Sequence, residues 1–230
     1  MNEWLKREEL LIGRENIEKL NKSTVAVFGC GGVGSYALEA LVRAGVGNIV
    51  LVDNDIVDIT NINRQLIADT TTVGQDKVEV AKQRALRINP NINIEIHKCF
   101  YDENHTDLVK PEYDYIVDAI DSVKSKISLI REAHTKNVKI ISAMGMGNKL
   151  NPTMLEVADI SKTEVCPLAK VVRKRLREMG INHTKVVYSK EGVKRADTSL
   201  ENKGTTASIS FVPSACGLIM ASEIVKDIIS

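Results

Sequence analysis

The stretch from Thr24 to Gly34, T-V-A-V-F-G-C-G-G-V-G, constrains the fold more than any other part of the chain. A short apolar run reads as a buried strand. It feeds without a polar spacer into Gly29-Cys30-Gly31-Gly32-Val33-Gly34, the pattern G-x-G-x-x-G. The pattern from Val33 to Ala44 predicts a helix behind it. Without side chains at Gly29, Gly31, Gly32 and Gly34, the backbone can turn tightly and bring its N–H groups onto a phosphate, where the helix N-terminus adds positive potential. The competing reading is that the glycines serve only close packing.

The rest of the first half alternates strand and helix without an internal sequence repeat. Asn48 to Val52 (N-I-V-L-V) is a second buried strand. Gln75 to Asn89 places Val78, Ala81, Ala85 and Ile88 on one helix face, with Pro90 as a stop. Ile92–Ile96, Tyr113–Val117 and Val138–Ile141 are further strand candidates, with a helix over Val123–His134. Strands alternating with helices predict an α/β fold, a Rossmann-like, mostly parallel sheet with helices on both faces. After Asn151 the rhythm loosens into a strand (Leu155–Ile160), a basic helix (Pro167–Met179) and a short strand (Lys185–Ser189). A Lys-rich connection then runs to about Thr206, followed by Ser208–Val212 and a buried C-terminal helix over Pro213–Ile229. At 230 residues there is little room for two full domains. The expectation is one domain over 1–230, with 1–150 as the nucleotide-binding portion and 151–230 as an irregular extension of the sheet.

Candidate ligand-binding residues fall at the predicted strand ends. Asp53 follows Gly34 by 19 residues, where a carboxylate can accept from ribose hydroxyls, and Asp55 is the nearby alternative. The glycine motif does not separate a dinucleotide from ATP. A dinucleotide needs no further cations here, whereas a triphosphate brings charges that Arg64 and Lys77 could neutralise, with Asn61 beside them. At the end of the fourth strand, in V-D-A-I-D-S, either Asp118 or Asp121 could hold a magnesium ion bridging phosphates. Position alone does not choose between them.

Together, G-C-G-G-V-G-S, V-D-N-D, T-N-I-N-R-Q, V-G-Q-D-K-V-E and D-A-I-D-S resemble, in order and spacing, the adenylating enzymes related to ubiquitin-activating enzymes. Within that family the chain is most similar to the tRNA threonylcarbamoyladenosine dehydratases. E-L-L-I-G near the start, D-I-S-K-T with P-L-A-K-V-V-R-K-R-L-R, V-V-Y-S-K-E and S-F-V-P-S-A-C-G-L-I-M-A-S carry that likeness over nearly the whole chain. The resemblance implies ATP and Mg2+ as ligands, with Asp53 on the ribose and Asn61, Arg64 and Lys77 on the triphosphate. It puts Asp55, Asn63 and Gln65 in the same nucleotide-contacting set and assigns the metal to Asp121. It implies a homodimer in which Arg7 enters the neighbouring subunit's site; by itself Arg7 reads as a surface residue. A monovalent cation, K+ or Na+, and a cysteine desulfurase/sulfur-acceptor system are further candidates that the relatives suggest.

Charge bears on the tRNA reading. The net charge of +1 rules out a uniformly basic nucleic-acid protein, but it is a cancellation. From Ser161 to Gly204 there are 11 Lys+Arg against 5 Asp+Glu, and elsewhere 20 against 25. Lys170, Arg173, Lys174, Arg175 and Arg177 form the densest cluster and are the candidate RNA contacts; a solvated helix face is the competing reading. Cys30, Cys99, Cys166 and Cys216 contain no C-x-x-C pair, which excludes a four-cysteine zinc site and predicts no zinc. The resemblance implies an ATP-dependent cyclisation of threonylcarbamoyladenosine in tRNA next to the anticodon, through an acyl-adenylate of the threonyl carboxylate. Cys166 precedes Pro167 at a predicted helix start, where a thiol could be activated, but such a cyclisation takes its nucleophile from the substrate and needs no enzyme thiol. The charged start has no signal-peptide core, and no segment is apolar enough to span a bilayer, so a cytoplasmic protein is expected with no membrane partner. Adenylation of a ubiquitin-like sulfur carrier is the alternative function. The missing C-x-x-C pairs count against it, because such relatives usually hold a structural zinc with them. A nicotinamide-dependent oxidoreductase would leave Arg64, Lys77 and Asp121 without a shared task. A non-catalytic nucleotide-binding module would not need the full phosphate-binding set.

Overall fold

A computed structural model describes residues 3–193 and 206–230. The charged start forms two short helices, α1 (Lys6–Ile12) and α2 (Arg14–Lys22), which break at Gly13 (φ +83°). Strand β1 (Thr24–Phe28) leads through the glycine turn into α3 (Gly34–Arg43), then β2 (Asn48–Val52). A long connection reaches α4 (Lys77–Ile88), β3 (Asn93–His97), β4 (Tyr115–Asp118), α5 (Val123–Thr135) and β5 (Lys139–Ala143). The second half supplies β6 (Leu155–Asp159), α6 (Pro167–Glu178), β7 (Lys185–Ser189) and α7 (Phe211–Ile229).

The seven strands among the described residues join one sheet in the order β3-β2-β1-β4-β5-β7-β6. Every neighbouring pair is parallel except β6–β7. The predicted elements are present with ends shifted by a residue or two and the α/β expectation is met, except that Ser208–Val212 forms no element of its own: 206–209 carry no helix or strand, and α7 takes in Phe211 and Val212. The chain leaves β1 for β2 on one side and returns to β4 on the other. That reversal opens a crevice at the carboxyl ends of the strands, where such sheets bind ligands.

Strand β1 is buried on both faces, so its alternation feeds two cores. Val25 and Val27 join a cluster with Leu38 and Leu41 of α3 and Met220 and Ile224 of α7. Ala26 and Phe28 join Leu129 and Ile130 of α5 and Val172 and Leu176 of α6. Helix α7 begins at Phe211, so Pro213 sits in its first turn, where a missing N–H costs nothing. Gly217 lets α7 lie directly on α3, since a Cβ there would come within 2.3 Å of the Val33 carbonyl oxygen. Among the described residues no helix is long and apolar enough to cross a membrane.

Candidate functional site

A cavity of about 610 Å³ occupies the crevice. The glycine turn (Gly29, Gly31, Gly32) forms one wall, and Asp53, Asn54 and Asp55 after β2 form the next. Asn61, Arg64, Gln65 and Lys77 come from the β2–α4 connection, and Ala119, Ile120 and Asp121 follow β4. The floor opposite is Ala143 to Gly147 after β5, and Leu168, Ser208 and Pro213 close it from the second half of the chain. The cavity is thus not confined to residues 1–150.

Asp53 carries much of the local geometry. Its Oδ2 accepts from the Cys30 backbone N–H at 2.6 Å and its Oδ1 from that of Asp55 at 2.8 Å, tying the glycine turn to the end of β2. Burial nevertheless pushes its carboxyl above the usual Asp value, against the pull of these two N–H groups and of Lys77. Burial also raises the Cys30 thiol, helped by Asp53, so it stays protonated as a packing residue.

Lys77 reaches this wall because the long connection folds back. Val57 N–H donates to the Gln75 carbonyl (2.8 Å), Lys77 N–H to that of Asp55 (3.0 Å), and Ile56 bridges Asp76. The Lys77 ammonium lies 2.7 Å from Asp55 Oδ2; its side chain is 7% exposed, that of Asp55 56%. Within the same connection Asp58 and Asn61 cap each other. Asp58 N–H donates to Asn61 Oδ1 (3.1 Å) and Thr60 N–H to Asp58 Oδ1 (2.8 Å), which leaves the Asn61 amide hydrogens for the cavity. Arg64 spends one guanidinium nitrogen on the Thr60 carbonyl and Asn63 Oδ1, both at 2.9 Å, and its other guanidinium nitrogens make no hydrogen bond among the described residues. Gln65 is buried, and its Oε1 has no hydrogen-bond partner. Such an orphan costs about 1–3 kcal/mol until a ligand donor meets it.

Asp118 and Asp121, equivalent in sequence, are separated by the fold. Asp118 is fully buried against Lys126 (2.8 Å), while Asp121 is exposed at the cavity wall. Asp121 enters no ion pair among the described residues, and no group of three or more His, Cys, Asp or Glu side chains there could hold a metal.

Several expected site residues lie elsewhere. Gly34 does not line the cavity. A Cβ there would lie 1.7 Å from the Gly29 carbonyl oxygen, so its glycine is demanded by packing. Asn63 does not itself line the cavity; it donates to the Ser208 carbonyl (3.1 Å) and accepts from Arg64, linking the connection to the segment before α7. Arg7 lies exposed on α1 at the other end of the sheet, because Leu5 just before it packs on Gly45 ahead of β2. In the basic cluster, Arg173 is half-buried and spends one guanidinium nitrogen on the Thr163 carbonyl at 2.7 Å. Arg175 pairs with Glu178 at 3.2 Å. Lys170, Lys174 and Arg177 are exposed at a spacing that puts them on one helix face, opposite buried Ala169, Val172 and Leu176. Residues 194–205, part of the basic segment, fall outside the described residues. Sequence reasoning missed the cavity residues Phe100, Met144, Met146 and Leu168; the first three carry no motif and only their places after β3 and after β5 could have flagged them, while Leu168 lies in the P-L-A-K run at the start of α6.

Comparisons with known proteins agree with this architecture. A tRNA threonylcarbamoyladenosine dehydratase of Bacillus subtilis is 46% identical over 237 residues, covering 97% of this chain and 93% of that protein. One from Haemophilus influenzae is 41% identical over 165 residues, 71% of this chain and 63% of its own length. The solved structure of Escherichia coli tRNA N6-threonylcarbamoyladenosine dehydratase in complex with AMP superposes with a TM-score of 0.91 at 30% identity, covering 99% of this chain and 96% of that one. The same enzyme in complex with ATP gives 0.89 at the same coverage. The ThiF family model matches residues 5–230, and the chain belongs to the ThiF family.

Proposed function

We propose that this protein is an ATP-dependent tRNA threonylcarbamoyladenosine dehydratase, which closes a ring on a modified adenosine beside the anticodon. The observation that carries the reading is the cavity wall that gathers the glycine turn, Asp53, Arg64, Lys77 and Asp121 at one sheet reversal. The 97% coverage at 46% identity supports the choice of substrate. Residues 1–230 act as one adenylating unit.

A carboxylate is a poor electrophile, because its charge repels a nucleophile and oxide is a poor leaving group. Attack of the threonyl carboxylate oxygen on the α-phosphorus of ATP breaks the α–β anhydride bond, forming an acyl-adenylate and releasing pyrophosphate. A nitrogen of the same substituent then attacks the acyl carbon, loses its proton and expels AMP. The nucleophile belongs to the substrate, so no enzyme thiol is required; Cys166 is 3% exposed. The protein positions the reactants and neutralises charge. Asp53 accepts from the ribose, the glycine-turn N–H groups and the free Asn61 amide meet phosphate, and Arg64 and Lys77 balance the triphosphate.

Magnesium fits the residues present. It is held through one or two carboxylates together with substrate phosphates and waters, a donor set that fits the exposed Asp121, which enters no ion pair among the described residues. When bound, the ion would offset phosphate charge. Arg7 cannot serve its own cavity from the far end of the sheet, and this supports a homodimer in which it completes the partner's site. A tRNA substrate supports a cytoplasmic location.

Lys170, Lys174 and Arg177 form the RNA-contacting face. Replacing all three with Glu is expected to weaken tRNA binding and to flatten the dependence of affinity on salt by about one unit of slope per residue. ATP binding without tRNA stays unchanged. Filter binding across a salt series reads the slope, and an unchanged slope overturns this assignment.

The decisive test is incubation with ATP, Mg2+ and total tRNA, followed by mass analysis of nucleosides. Loss of one water from threonylcarbamoyladenosine with release of AMP is the expected result. ATP–pyrophosphate exchange stimulated only by a small carrier protein would overturn it.

A further inference from the structure

Lys126, Asp118 and Ser142 are each fully buried where β4, β5 and α5 meet, and none lines the cavity. The Lys126 ammonium donates to Asp118 Oδ2 at 2.8 Å and to Ser142 Oγ at 3.3 Å, and the Ser142 hydroxyl donates to the same Asp118 oxygen. Removing two charges from water is costly, and such a pair typically stabilises a fold no better than apolar residues of the same volume. Packing therefore gives no reason for a lysine at this position.

The second carboxylate oxygen supplies a reason. Asp118 Oδ1 accepts from the Ile120 backbone N–H at 3.2 Å, inside the turn that carries Asp121. The other side of that turn is fixed by Ala119 N–H donating to the Phe28 carbonyl at 2.8 Å. Its Ala119 carbonyl sits so close to Gly29 that a Cβ there would approach it to 2.7 Å. One turn thus touches the glycine loop and presents Asp121. The sequence makes the bracket local: Ser122 caps α5 through the Ser125 N–H (3.4 Å), and Lys126, one turn further on, points back toward the helix start and onto Asp118.

We propose that Lys126 is a positioning residue that acts through Asp118, locking the 119–121 turn so that Asp121 and the glycine loop hold a fixed separation around a metal-bound nucleotide. This rests on the reading of the cavity as a Mg2+–ATP site. Lys126 holds Oδ2, which leaves Oδ1 free to fix the Ile120 amide. Without Lys126 the buried carboxylate has lost its ammonium partner and the turn loses its anchor.

The test measures nucleotide binding by calorimetry with the full chain, at a temperature where every variant is folded by circular dichroism. Lys126→Met is expected to weaken Mg2+–ATP binding by about 10–100-fold, the range for residues that orient a metal ligand. ATP binding in EDTA should change by less than about threefold, because the glycine loop and Lys77 remain. The double variant Asp118→Asn with Lys126→Met removes both charges yet keeps an oxygen for the Ile120 amide, so it should recover most of the Mg2+–ATP affinity. A Lys126→Met protein that binds Mg2+–ATP like wild type, even with a lower melting temperature, makes the lysine merely structural and overturns the proposal. So does a double variant no better than the single one. Wild-type protein that binds no Mg2+–ATP would instead overturn the reading of the cavity itself.

Discussion

Lys77→Ala is expected to lower kcat/KM for ATP-dependent turnover by about 10²–10³-fold, the effect of deleting one preorganised charge from an active site, while the protein stays folded. Two effects act together. The ammonium is 7% exposed, so little water screens its attraction for phosphate. It also offsets Asp53 and Asp55, and it lowers the Asp53 carboxyl against the upward push of burial. Its deletion leaves two carboxylates facing a polyanion, which adds repulsion to the lost attraction. Asp55 is more than half exposed and can take up water, so the loss falls on nucleotide binding and chemistry rather than on the fold. Lys98→Ala is the control. Lys98 makes an equally short 2.7 Å pair with Asp76, but its side chain is 57% exposed, and such pairs contribute about 0–1 kcal/mol. Steady-state kinetics with thermal melts of both variants check this. A Lys77→Ala enzyme within about threefold of wild type would sink the triphosphate assignment.

Two alanines in the glycine turn are expected to fail for opposite reasons. Gly34→Ala should cost about 3 kcal/mol, at the upper end for overpacking, because its Cβ would lie 1.7 Å from the Gly29 carbonyl oxygen, a backbone atom with nowhere to go. Gly31→Ala should fold normally, since its Cβ meets only Gln65 Nε2 at 3.8 Å. The added methyl stands in the cavity where a phosphate must approach the backbone, so ATP affinity should fall at least about tenfold, as small displacements of bound reactants do. Gly192→Ala, whose Cβ would meet nothing within 4 Å among the described residues, should change neither. Denaturant unfolding and ATP titration read the two effects separately. Equal stability of the Gly34 and Gly31 variants would contradict the packing account.

These two glycines also mark the limit of what a motif conveys. The pattern G-x-G-x-x-G is legible because the chemistry of close backbone approach demands it, yet it does not say which glycine faces ligand and which faces main chain. The same holds for D-A-I-D-S. Two aspartates three residues apart are interchangeable on paper, but a strand end turns one into the core beside Lys126 and the other into the cavity. Arg173 and Arg175 looked like RNA ligands in a run of basic residues until helix geometry turned Arg173 back onto Thr163 and set Arg175 beside Glu178. Asn63 was hidden similarly, since its partner at Ser208 lies 145 residues away.

The sequence alone determined the α/β class, the mostly parallel character of the sheet, the glycine turn and the acidic and basic residues that crowd around it. Those features rest on local periodicity and on residue types that few backbone or charge environments accept. Only the tertiary structure decided which of them face the cavity, what holds the Asp121 turn, and that Arg7 lies at the wrong end of the sheet for its own site. Orientation and burial come from contacts between segments tens of residues apart. No local pattern encodes which of two equal carboxylates meets a lysine.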